Sequence, residues 1–152
     1  MVSGFVVKAD DDRHQRPVQF LNGRFDTKVS PGDTHGALYV IDTIRSRRGG
    51  PPLHVHFEQD EWFMVQEGRF RFRIGDEYFD LGPGDSVFGP RRVPHQFANL
   101  TETGRLLIAF QPAGTMEQFF ASGMMDPMSE AFAELSLSHG MEVVGPPLSL
   151  EP

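Results

Sequence analysis

The chain has 152 residues and no cysteine. That absence excludes disulfides, thiolate nucleophiles, cysteine-ligated zinc and iron–sulfur clusters. Positive charge is scarce as well: 14 Lys and Arg stand against 21 Asp and Glu, a formal net charge of −7. So acidic a chain lacks the basic face that a phosphate backbone requires, which argues against nucleic acid as a partner. Long apolar runs are missing too. The opening residues, MVSGFVVKADDD, hold an apolar run of only four before three aspartates. That pattern fits neither a secretory leader nor a membrane span, so the expectation is a cytoplasmic protein without membrane contact. The triplet Asp10-Asp11-Asp12 is expected to be solvated.

What is present points to strands. There is one Trp and there are two Tyr, but 14 Phe, 16 Gly and 12 Pro. Bulky flat side chains suit pleated surfaces and pocket walls, and the Gly and Pro content favours many short elements joined by turns. Apolar residues make up 39% of the chain and charged residues 23%, the balance of a folded chain. The length fits one domain, able to bury roughly 68–70% of its unfolded surface.

Turn signals at Pro31-Gly32, Gly49-Gly50-Pro51-Pro52, Gly75-Asp76, Gly82-Pro83-Gly84-Asp85 and Gly89-Pro90 punctuate short runs rich in Phe, Val, Tyr and Ile. Strands are predicted over 24–29, 37–45, 53–56, 61–66, 69–74, 77–80, 86–88, 95–99 and 105–111. The run Arg69-Phe70-Arg71-Phe72-Arg73-Ile74 alternates with a period of two. Strands at this spacing predict an all-β sandwich or small barrel over 23–112, preceded by an arm over 1–22 with weak strand character at Val18-Gln19-Phe20. Helix is expected only after Pro112, over 115–122 and 129–137, within an extension over 113–152 that covers the outside of the barrel. The Gly82–Asp85 segment is a turn and not a phosphate loop, since no helix or lysine follows it. Asn99-Leu100-Thr101 matches a glycosylation acceptor, which carries no meaning without a secretory signal.

The chemistry concentrates on four residues. His54 and His56 stand two apart in a Pro-preceded strand, so alternation turns both imidazoles to one face. Glu61 begins the next strand, and His95 opens another after Val93-Pro94. Three imidazoles and a carboxylate suit a divalent transition metal with coordination positions left open: Fe, Mn, Ni, Co, Cu or Zn. Burying four such groups together is costly unless a cation compensates them. His14, His35 and His139 lack comparable company and read as surface or loop residues.

Residues 50–68, GPPLHVHFEQDEWFMVQEG, resemble the first motif of the cupin family, with His54, His56, Glu61 and Gly68 at the family spacing. Residues 84–99, GDSVFGPRRVPHQFAN, resemble the second, with Gly84, Pro90, His95 and Asn99 in register. Two departures stand out. Arg48 falls where the family has its leading glycine, with Gly49 and Gly50 just beside it, and Arg92 replaces a glycine before His95. The stretch between the motifs is 15 residues, at the compact end of the family. The resemblance implies an all-β, double-stranded β-helix (jelly-roll) barrel. It also implies one divalent metal held by His54, His56, Glu61 and His95, and often a homodimer, for which the arm would cover an exposed edge strand on a partner.

With no cysteine and no placed Ser–His pair, nucleophilic catalysis has no candidate, and the metal must carry the chemistry. The likeness to quercetin dioxygenase-like cupins implies a metal-dependent dioxygenase acting on a small aromatic or enolic compound, with Glu61 as general base. Two other readings use the same ligands: a metal-dependent isomerase or polyketide cyclase, and a non-catalytic small-molecule binding module. Tyr39, Ile41, Phe63, Phe72, Phe97, Ile108 and Phe110 are candidates to line an apolar substrate cavity over the metal. Trp62 and Met64 point the other way and are expected between barrel and helices. Arg45, Arg47, Arg48, Arg91 and Arg92 are read as solvated loop residues, or else as a field drawing an anionic substrate to the mouth.

Overall fold

Period-two alternation sorts the strands into a dry inner face and a wetter outer one. The computed structural model describes residues 3–123 and 125–150. Its first sheet runs in the order β1 (Val18–Phe20), β2 (Gly23–Val29), β3 (Tyr39–Arg45), β10 (Gly104–Gln111), β5 (Asp60–Glu67), β8 (Ser86–Gly89). The second runs β11 (Met141–Pro147), β4 (Pro52–His56), β9 (His95–Asn99), β6 (Phe70–Ile74), β7 (Glu77–Leu81). The named pairs are antiparallel throughout. This is an all-β jelly-roll barrel, as the sequence implied.

The inner faces of both sheets meet in an aromatic core. Phe63 and Val65 on β5 are buried, as are Leu106, Ile108 and Phe110 on β10. From the opposite sheet come Phe70, Phe72 and Phe97, with Phe63 and Phe72 rings 5.1 Å apart and Phe72 and Phe97 rings 5.8 Å apart. Each such ring contributes about 1.5–3 kcal/mol by leaving water. Trp62 and Met64 alternate with these residues and lie half-buried on the outer face. The expectation that they fill a space under the helices is therefore corrected, because the helices lie elsewhere.

Two short helices follow β10, α1 (Met116–Phe120) and α2 (Glu130–Ser138). Ser129 caps α2, its side chain accepting from Phe132 N at 3.1 Å. The helices pack along one side of the barrel, against the edge strands β1 and β11 and the neighbouring β2. Phe119 lies 5.1 Å from Phe20 and 5.8 Å from Phe132, and Phe120 lies 4.7 Å from Phe25. One helical turn also escaped the sequence reading, a 3₁₀ turn at Pro31–Asp33. Among the described residues no helix is long and apolar enough to cross a membrane.

Segments from the arm and from the C-terminal extension enter the sheets. The arm's strand, expected on a partner's edge, pairs with its own β2, Val18 opposite Phe25. Strand β11 was not foreseen at all. It pairs with β4, placing Met141 opposite His56 and Val143 opposite His54. Its prolines are tolerated because it is an edge strand, where missing N–H donors cost nothing in the ladder. The aspartate triplet also divides. Asp10 and Asp11 are exposed as expected, but Asp12 is buried and accepts from Thr27 N at 2.6 Å, His14 N at 2.9 Å and Arg16 N at 3.0 Å. Burial alone would raise its pKa, yet these backbone donors outweigh that and hold the carboxyl low.

Candidate metal centre

Strand pairing brings the four polar residues together. His54 and His95 are direct partners across β4 and β9. Glu61 lies on the facing sheet, between Phe110 of β10 and Gly89 of β8. His56, two residues beyond His54, turns inward beside it, the two rings 5.2 Å apart. Glu61 Oε1 is 2.9 Å from His95 Nε2 and 3.2 Å from His56 Nε2. One ligand atom from each of His54, His56, Glu61 and His95 lies within 4.8 Å of all the others.

The turns that carry these residues absorb both departures noted in the sequence. Gly50 approaches Phe97 so closely that a Cβ there would lie 1.8 Å from the Phe97 carbonyl oxygen, so only glycine fits. Arg92 keeps the turn that a glycine would make, at a φ of 68°. Its N–H donates to His56 O at 2.7 Å and its Nε to Phe57 O at 3.2 Å, bonds that hold the left-handed conformation in place.

The donor set fits a cation. His54 Nδ1 meets Pro52 O at 2.8 Å and His95 Nδ1 meets Val93 O at 3.3 Å. A carbonyl only accepts, so these contacts assign the imidazole protons to Nδ1 and leave Nε2 free to coordinate a cation. In the neutral rings the His95 Nε2 lone pair then faces a carboxylate oxygen, an arrangement a shared cation satisfies. Burial, with His95 and His56 alongside, pulls His54 down to about 3, so it stays neutral and able to ligate. Burial would raise Glu61, but the His56 and His95 rings beside it outweigh that and keep the carboxyl well below the usual range.

The cluster opens on a narrow cavity that is partly open to solvent. Of the residues proposed to line a substrate cavity, Phe97, Ile108 and Phe110 lie in its wall. Tyr39, Ile41, Phe63 and Phe72 are buried in the barrel core and do not reach its wall. The rest of the wall escaped the sequence reading: Phe20 and Phe25 from the arm and β2, Phe119, Phe120 and Phe132 from the helices, Met141 from β11. Rings connect the two ends, with Phe110 lying 5.6 Å from His56 and 6.1 Å from Phe120.

The arginines separate. Arg47, Arg48 and Arg92 are exposed, and Arg91 grips Asp60 through two bonds at 3.1 Å. Arg45 is no loop residue: it ends β3, is 1% exposed and lines the cavity. Alternation carried the signal, since Tyr39, Ile41, Thr43 and Arg45 share parity along one strand. Asn99 is buried and its Nδ2 donates to Arg47 O and Thr101 O, both at 2.8 Å, so the glycosylation match is spent on structure.

A protein-family model described as a cupin domain matches residues 43–110. An uncharacterized protein of Methanocaldococcus jannaschii is 31% identical over 48 residues, 32% of this chain and 38% of that protein. The match thus spans well under half of that relative. An uncharacterized protein of Streptomyces coelicolor is 31% identical over 75 residues, 49% of this chain and 67% of its own. Among solved structures, KdgF from Halomonas sp. superposes with a TM-score of 0.58 at 18% identity, covering 70% of this chain and 94% of KdgF. At that identity the likeness concerns the fold.

Proposed function

Because this chain belongs to the cupin family, we propose that it is a metal-dependent dioxygenase acting on a small aromatic or enolic compound. One observation carries the reading: the Glu61 carboxyl is buried among three imidazoles beside a cavity walled mostly by apolar side chains. His54, His56, Glu61 and His95 would hold one divalent transition metal. When bound, such an ion supplies a Lewis acid that favours the anionic form of an enol or phenol.

The chain's own residues do the rest. Phe97, Ile108 and Phe110 offer flat and branched surfaces that orient an aromatic or enolic ring. Phe119, Phe120 and Phe132 of the helices add apolar wall to the cavity, and an apolar surrounding strengthens charge interactions inside. A carboxylate oxygen of Glu61 takes the enol or phenol proton and leaves an electron-rich anion for dioxygen to attack. Tyr39, Ile41, Phe63 and Phe72 stiffen the wall from behind.

The test is an oxygen-uptake screen of metal-loaded protein against flavonols and diketones, repeated with Glu61→Gln. At matched metal content the variant should lose a factor of about 10²–10⁴ in turnover. Full turnover in the loaded variant would remove Glu61 as the base. Turnover without oxygen uptake would move the activity to an isomerase or cyclase.

A further inference from the structure

Arg45 is the largest fully buried side chain among the described residues. Its Nη2 donates to Asn22 Oδ1 and its guanidinium lies 5.2 Å from the centre of the Phe97 ring. Its Nε–H has no partner, and no carboxylate among the described residues pairs with it. Thr43 Oγ1, on the same face two residues earlier, is buried and unpartnered too. Room for the guanidinium exists because residue 23 is glycine: a Cβ there would lie 3.0 Å from Arg45 Nη1 and 2.8 Å from Thr43 Oγ1.

Burial lowers the Arg45 pKa to about 10, so the group stays charged at neutral pH. A buried cation without a counter-ion is an unfavourable arrangement unless something else supplies the charge. Of the other polar cavity residues, Ser136 spends its hydroxyl on Phe132 O at 2.8 Å, and His54, His56 and Glu61 belong to the metal group. Arg45 is therefore the one lining side chain outside that group with an unspent donor.

We propose that Arg45 is the anion-recognition residue of this cavity and that its ligand is a small organic acid. The carboxylate meets the guanidinium, and the apolar body lies along Phe97 and Ile108 toward His54 and Glu61. Phe97 sits between the two ends: its ring touches Arg45, and its Cα follows that of His95 by two strand residues, about 6–7 Å. The acid-binding end stands on Arg45 alone; only the direction of the ligand rests on the metal-site reading above.

Titration calorimetry with 3-phenylpropanoate and its neutral amide tests this, on both chelator-treated and zinc-loaded protein. The acid should bind about tenfold or more tighter than the amide in both states, since a charge-assisted hydrogen bond is at stake. Arg45→Lys should keep part of that preference. Arg45→Met should bring the two probes within about twofold, with metal content unchanged. Equal binding by the wild type, a preference that survives Arg45→Met, or one that appears only with zinc overturns the proposal. Should the Met variant fail to fold, wild-type NMR decides. The arginine Nε–H resonance missing from Arg45→Lys should move with the acid and not with the amide, and an unmoved resonance overturns the assignment. Acid preference in a protein that binds no metal would leave Arg45 in place and remove the metal reading instead.

Discussion

The two ends of the cavity are written into the chain in opposite ways. At one end His54, His56, Glu61 and His95 come from three strands within a short stretch of sequence, and each sits where strand parity puts it. At the other end Phe20, Phe25, Phe119 and Phe132 come from segments far apart in the chain and meet only through packing. The first end is dominated by charge and desolvation, the second by apolar burial. Damage to the first should therefore appear in ligand binding, and damage to the second in stability.

The largest expected effect is at the polar end. His56 is 2% exposed, its Nε2 lies 3.2 Å from Glu61, and its ring stacks 5.4 Å from that of His95. His56→Ala removes one of the four proposed ligands. Metal affinity should fall by more than about 100-fold, beyond the roughly 10–100-fold typical of losing an outer partner. Metal analysis after dialysis against a weak chelator reads this directly. An unchanged metal content would show that the four residues do not act as one site.

Next in size is the apolar end. Phe132 is 4% exposed, packs 5.8 Å from Phe119 and 6.1 Å from Phe20, and projects from α2 into the cap. Phe132→Ala should cost about 3–5 kcal/mol in a urea melt, the range for deleting a buried ring. Its metal affinity should stay within about tenfold of wild type, because none of the four ligands touches this ring. A loss under about 1 kcal/mol would mean that the cap is not part of the cooperative core.

The same contrast explains what was legible. Nine of the strands and the four clustered residues follow from turn residues and alternation, both short-range signals. Strand β11 carries no such signal, because Gly145, Pro146 and Pro147 interrupt its alternation and only pairing with β4 makes that segment a strand. The cap was hidden because a pair of short helices does not say which surface it covers. Asp12 and Arg45 were hidden by charge: a charged residue reads as solvated until the fold supplies backbone donors for one and a place in a cavity wall for the other. Arg92 shows the limit of motif reading, since it takes the glycine's backbone conformation without being glycine.

The smallest effect sharpens the comparison most, because it touches the cap without touching a ring. Ser129 Oγ accepts from Phe132 N at 3.1 Å and donates to Asp126 O at 2.7 Å, fixing the start of a nine-residue helix. So short a helix is marginal by itself, and its position depends on packing and on that cap. Ser129→Ala leaves the Phe132 N–H without its acceptor and should cost about 1 kcal/mol. Ser129→Asp should restore most of that, since a carboxylate accepts the same bond and suits the helix N-terminus. Ser129→Gly should fall between them. Urea midpoints of the three variants give the order. Metal affinity should not move in any of them, because the change reaches the polar end only through Phe132, a ring that all three variants retain. If Ser129→Ala instead lowered metal affinity as much as stability, the two ends would be energetically one unit, and the division of labour between them would fail.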